Sequence, residues 1–376
     1  MFLVMVGSFA AMVFFSGALS AVVPWLMRRR ECFAVTIPET AQRDPRIMAM
    51  KRRYAAVMMA LTVVCTVLVA GVLLVLGEQG ANKHPVLLTG AIVVGVTVPI
   101  AASFALMLHY RKQITALKHA QGWKAESAHA AAVIADIELP SAIPLWWNLL
   151  YLPVIALTAG VAIVGYPYMP DMIPMHSDFA GNVTDWAEKS PGVAAFPVLV
   201  QLFMAVVFVF SHWSITRSKA PISPDRPTAS AYAYGVFARS QSIFLLASGL
   251  LISTVLGLVF DLSALDVIGM DVCIVIILAA VAPVLIGAVA ISVVYGQAGS
   301  RVFARLEDKD GLPADDDEHW KLGIFYFNRD DASLFLPERF GIGWTINLGR
   351  PAAWAVIAGF ILFTVLFLCA VFALVS

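Results

Sequence analysis

Eight apolar stretches, each about 20 residues long, dominate this chain, and that length matches the hydrocarbon thickness of a bilayer. They lie near 3–26, 54–77, 85–109, 146–167, 192–214, 241–261, 272–296 and 352–375. A segment inside hydrocarbon has no water to satisfy its peptide groups, so it must bond to itself as a helix. The expected fold is an all-α integral membrane protein, an eight-helix bundle with a small cytoplasmic β unit. Composition agrees: 60% of the residues are hydrophobic and only 13% charged, against about 25% charged in soluble proteins. The mean hydropathy is +0.83. Too little polar surface exists to cover a globule in water. A soluble enzyme, a disordered regulator and a free nucleic-acid binder are excluded, and the zero net charge implies no bulk electrostatic partner.

Orientation follows from the basic residues. With the N-terminus outside, the connections 27–53, 110–145, 215–240 and 297–351 face the cytoplasm and hold 23 of the 25 Lys and Arg residues. The outer connections keep only Lys83 and Lys189. Positive charge is retained inside, so the asymmetry implies an N-out, C-out topology. The first stretch has no basic residue before it and Arg28, Arg29 and Arg30 after it, which is not the pattern of a cleaved signal peptide. Trp25, Trp146, Trp147, Trp213 and Trp354 fall near the expected boundaries, where amphipathic rings collect.

The interiors of the stretches lack Asp, Glu, Lys and Arg. Such residues are costly there and mark ion paths, so a transporter coupled through buried carboxylates is not expected. A carrier of neutral or lipidic molecules remains open, with Gln201 the most polar mid-span residue. His109 and His212 fall at inner ends, at headgroup level. Pro99 and Pro283 interrupt two stretches and read as packed kinks. Hydrolase, protease and nucleotide-binding motifs are missing, and no enzyme activity is expected. Asp315, Asp316, Asp317, Glu318 and His319 read as a solvated acidic run. The four cysteines have no ligand spacing and read as small hydrophobes; no metal or cofactor is expected.

Four connections, 31–53, 111–139, 168–191 and 298–350, are too long to be mere links. Residues 111–139 read as an Ala-rich amphipathic helix along the inner surface, and 218–230 as a Pro-rich linker. The outer loop 168–191 is polar and rich in proline and glycine. Two prolines stiffen its start, Gly181 suits a positive-φ turn, His176 can pair with Asp178 or Asp185, and Lys189 with Asp185 or Glu188. The pattern I-P-x-H-x-D-x-x-G-x-x-x-D-W-x-x-K resembles the domain of unknown function 1648 over about residues 150–210. Pro174, His176, Gly181, Asp185 and Lys189 carry the match. A related group comprises the immunity proteins that protect producers of the sporulation-delay toxin. The resemblance implies a bacterial plasma-membrane protein, with peptide-toxin immunity or envelope-stress sensing through this loop. Ligand-binding candidates are Pro174, His176, Asp178, Gly181, Asp185 and Lys189. A polar plug capping the helix ends is the alternative use of the same residues.

In 298–350 the pattern turns extended at Gly323–Phe327, Leu334–Leu336 and Trp344–Leu348, with a turn at Asn328–Asp331. Asn328 and Asp330 suit that turn, and Trp320 and Trp344 suit anchoring at the interface. This segment, W-x-x-G…Y-x-N-x-D…G-x-G-W-T-x-N, resembles the domain of unknown function 5808. Trp320, Tyr326, Asn328, Asp330, Asp331, Trp344 and Asn347 are the candidates for docking a cytoplasmic regulator; stapling the last helix is the structural alternative. The expected division is 1–145, three helices and the amphipathic helix; 146–214, the helix–loop–helix unit; 215–297, two helices with a linker; 298–351, the cytoplasmic unit; and 352–376, the last helix. The expected partners are the lipid bilayer, an extracellular peptide and a cytoplasmic regulator, with no nucleic acid.

Overall fold

A computed structural model describes residues 2–123, 139–177, 182–223, 226–306 and 315–375. Among them eight helical segments are long and apolar enough to cross a membrane. The chain runs through α1 (Phe2–Leu26), β1 (Glu31–Cys32), β2 (Val35–Thr36), α2 (Pro45–Lys83) and α3 (Pro85–Ala120). A 3₁₀ turn at Leu145–Leu150 feeds α4 (Tyr151–Gly165), followed by β3 (Met172–Ser177), β4 (Val183–Glu188), α5 (Pro191–Thr216) and α6 (Pro227–Ala264). Then come α7 (Met270–Tyr295), α8 (Ser300–Leu306), β5 (Trp320–Lys321), β6 (Phe325–Tyr326), β7 (Phe335–Pro337), β8 (Trp344–Ile346) and α9 (Pro351–Val375).

Local chemistry sets many of the ends. Asp44 caps α2 by accepting the Arg46 amide, and Ser190 caps α5 by accepting the Val193 amide. Proline opens α2, α3, α5 and α6 in the first turn, where its missing N–H is harmless. Gly77, at φ +62°, breaks α2 near its end. The expected surface helix at 111–139 is corrected in part: residues up to Ala120 continue α3, and 124–138 lie outside the described residues. The expected linker also shortens, because α6 starts at Pro227.

The helices form two groups. The first packs α1, α2 and α3 on one another. In the second, α6 is central and touches α4, α5 and α7, while α9 leans on α5. There Phe203 stacks on Phe363 and Phe367, with ring centroids 5.2 and 4.1 Å apart. Valines, leucines and isoleucines line the outside of both groups, Val67, Leu68, Val75, Ile163 and Leu362 among them. A surface of this kind is solvated by lipid, not water.

The strands form four separate antiparallel pairs, β1–β2, β3–β4, β5–β6 and β7–β8. In the first, Phe33 and Ala34 make the connecting turn at φ +46° and +60°, the hairpin geometry usually left to glycine or asparagine. Burial compensates for that backbone. Phe33 is fully enclosed and stacks on Tyr110 at 5.0 Å, with Tyr54 at 5.5 Å. Tyr54 also meets Phe340 edge-on and shares a 2.6 Å hydrogen bond with Ser103.

Candidate functional site

Two polar constructions stand at opposite ends of the bundle. At one end, β3 and β4 form a hairpin between α4 and α5, with Met172 opposite Glu188 and His176 opposite Asp185. Sequence reading saw a polar loop here; the prolines hid a ribbon whose register is irregular around His176. Ile173 and Ala187 point into an apolar cluster with Met169, Val193 and Ala264. Met172 and Trp186 stay exposed, as does Tyr168 just before the hairpin.

The candidates of this loop divide. His176 Nδ1 lies 3.2 Å from Asp185 Oδ2, one of its two expected partners, and both side chains are exposed. Pro174 is half-buried within β3. Asp178 and Gly181 lie outside the described residues. Lys189 corrects an expectation. It does not pair with Asp185 or Glu188; its ammonium donates to the carbonyl of Met169 at 2.8 Å and sits over the Tyr166 ring. The helix end before the hairpin thus exposes carbonyls that a cation satisfies.

At the other end, the 315–350 unit is built around two buried polar side chains. Asn347 is fully buried, and its Nδ2 donates to the carbonyls of Asn328, Asp331 and Ser333. Its Oδ1 accepts the amides of Asn328 and Gly349. One side chain therefore closes the turn and joins it to β8. Asn328 Oδ1 accepts the Asp330 and Asp331 amides, as expected of a turn asparagine. Tyr326 donates to Asp331, which also binds Lys219 at 2.7 Å. Burial pushes Asp331 up, but Lys219 and the Ser333 amide outweigh it and hold the carboxyl at about 2. Asp330 is exposed.

The second buried side chain is Arg339, 1% exposed, which sequence reading did not single out. Its guanidinium binds Asp316 and Asp317 and lies 3.6 Å from Glu31. It also covers the Trp320 ring at 5.1 Å. Lys118 of α3 binds Asp315 and Asp317 at 2.5 and 2.7 Å. Thr36 donates its amide and hydroxyl to Asp317. Asp315, Asp316 and Asp317 are therefore not a solvated face; they bind two cations distant in sequence, while Glu318 stays exposed as expected. Burial raises Asp317, and Arg339 and Lys118 together bring it down to about 2. For Glu31 burial wins over Arg28 and Arg339, and its carboxyl is raised.

Trp320 corrects an expectation: it is buried against Tyr326 and donates to Asp316, with no face left for the interface. Trp344 is half-buried and stacks on Phe237 of α6 at 5.5 Å. The three expected extended pieces are present as β6, β7 and β8. This unit clamps both helix groups, through Glu31, Thr36 and Lys118 on one side and Lys219 and Phe237 on the other.

Within the bundle His212, near the C-terminal end of α5, is enclosed: it is 1% exposed, with Asn148 at 2.8 Å and the Ile143 carbonyl at 2.9 Å. Asp261, read as the end of a stretch, is fully buried within α6. Gln201 is buried too, and its Nε2 donates to Thr158 and to the Ser253 carbonyl.

Eight membrane-length helices with a hairpin at one end and a β unit at the other make this a multi-pass membrane protein. Residues 154–200 match the family model described as domain of unknown function DUF1648, and 329–354 that of the family of unknown function DUF5808. No curated protein and no solved structure matches the chain.

Proposed function

We propose that this is a non-enzymatic protein of the bacterial plasma membrane, oriented N-out and C-out, whose hairpin receives an extracellular peptide. The reading is peptide-toxin immunity or envelope-stress sensing, with the 315–350 unit engaging a cytoplasmic regulator. The observation that carries it is the hairpin's free ribbon. Among the described residues only β3 and β4 pair here, which leaves two strand edges, and an extended peptide adds to such an edge. Trp186, Met172 and Tyr168 supply exposed apolar contacts beside it, and His176 and Asp185 a polar one.

Survival tests this. Wild type, His176→Ala and Asp185→Ala are produced at matched membrane levels in a sensitive bacterium and challenged with membrane-active peptides. Protection by wild type alone supports the hairpin as the receiving element. Equal protection by both variants removes the site from the hairpin. Gln201 favours a second reading, transport of a neutral or lipidic substrate, because its amide carries an unpaired oxygen inside the helix group. Uptake abolished by Gln201→Leu, with survival unchanged, would favour transport.

A further inference from the structure

Asp261 sits in the last turn of α6 at the hairpin end, fully buried, and neither carboxylate oxygen has a hydrogen-bond partner. Residues four apart share a helix face, and the face below Asp261 is unusual at every step. At Gly257 an added Cβ would stand 2.1 Å from Gln201 Nε2 and 2.4 Å from Thr158 Oγ1. Ser253, next on the face, is fully buried with its hydroxyl unpaired. At Gly249 a Cβ would stand 1.9 Å from the Tyr151 hydroxyl, which is also unpaired. Gln201 Oε1 completes the set. The face is a polar seam between α4, α5 and α6, about 18 Å long from Gly249 to Asp261. Its glycines are small because α4 and α5 deliver polar groups into their space.

We propose that Asp261 is a proton-binding station at the hairpin end of this seam. A carboxylate without a cation in an apolar site binds a proton instead of keeping its charge. The proton comes from water at the hairpin end and forms an O–H bond on one carboxylate oxygen, leaving the group neutral. The protonated acid then carries an O–H, and the unpaired oxygens of Gln201 and Ser253 lie further along the same face, Ser253 about 12 Å away by helix rise.

The ionisable groups on neighbouring elements do not neutralise it. On α4 the Tyr151 hydroxyl lies against Gly249 at the far end of the seam, Tyr166 just after α4 joins the apolar cluster beneath the hairpin with Lys189 over its ring, and the half of α5 between Pro191 and Gln201 has no ionisable side chain. On the hairpin, His176 and Asp185 pair with each other, Lys189 is taken by carbonyls, and Glu188 is exposed. The α6–α7 turn and α7 bring Asp266, Asp271 and Cys273, none of them a cation. Asp261 is flanked by Phe260 and Ala264, which belong to the apolar cluster under Ile173. Losing the proton therefore puts an anion directly beneath the hairpin.

Labelling of the detergent-purified full chain with a hydrophobic carbodiimide, which attacks protonated carboxyls in apolar sites, tests the station. Mass spectrometry then locates the adduct across pH 5–9. The expected result is an adduct on Asp261 that falls about tenfold per pH unit above its midpoint and is missing in Asp261→Asn. An adduct whose yield ignores pH, or no adduct on Asp261 at any pH, would overturn the proposal. Protection of Asp261 by sodium at constant pH would also overturn it, assigning the site to a metal cation. These readouts do not depend on peptide survival.

Discussion

Replacing Arg339 with methionine removes the central cation of the clamp while keeping much of its volume. Glu31, Asp316 and Asp317 then lose a shared partner. Breaking a buried pair by deleting one member costs about 3–5 kcal/mol. Here the lower end applies, because Arg28 still holds Glu31 and Lys118 still holds Asp317. The carboxyl of Asp317 gives an independent measure. Held at about 2 and not its ordinary 3.8, it corresponds to roughly 2.5 kcal/mol of stability, shared between Arg339 and Lys118. The expected loss is therefore about 3 kcal/mol, or about two decades in local opening. Hydrogen exchange of peptides covering 31–37 and 335–347 reads it, since the Thr36 amide donates to Asp317. The sign with pH is fixed: a depressed carboxyl stabilises above its unfolded value, so wild type loses this contribution as pH falls from about 4 toward about 2. Arg339→Met has already lost most of it at neutral pH. Exchange at pH 7 equal to or slower than wild type would refute the reasoning and make the cluster energetically neutral.

Glu338 works in the opposite direction. Burial pushes it to about 7, so it favours the folded unit below about pH 4.5 and loses that effect as pH rises through about 7; Glu338→Gln should be the more stable protein at pH 8, by up to about 3 kcal/mol in chemical denaturation. Gly257→Ala should lower the melting temperature in detergent through overpacking of about 1–3 kcal/mol. Adding Gln201→Ala should recover part of that loss, since the clash is with the Gln201 amide. Asn347→Asp should open the 315–350 unit to protease, because a carboxylate replaces the amide that donates to three carbonyls; Asp331→Ala, which leaves Asn347 intact, should open it less.

Periodicity and run length disclosed the eight spans because hydrocarbon solvation acts on each segment alone. The β unit was legible for a similar reason: Asn328 and the glycines around Trp344 announce turns locally. What stayed hidden depends on partners distant in sequence. Asp315 to Asp317 look like a solvated run until Lys118 and Arg339 arrive from elsewhere. Trp320 has an interfacial composition but a buried place, under the Arg339 guanidinium. Asp261 closes an apolar run, where a charge ordinarily marks a boundary; α6 continues past it to Ala264, and the hairpin cluster covers that end. The hairpin itself was masked because Pro174 lowers strand propensity, and the register is irregular just after it.

The clamp also has a mechanical consequence. Close packing joins helices within each group, while the specific polar ties between the groups gather at the end that holds Arg339. A pivot between the groups would lie at that end. Helix α5, at 26 residues, is about 39 Å long, so a rotation of about 5° at the pivot carries its far end about 3 Å. A disturbance at the hairpin thus has a long lever arm, and the short arm ends on Lys219 and Phe335.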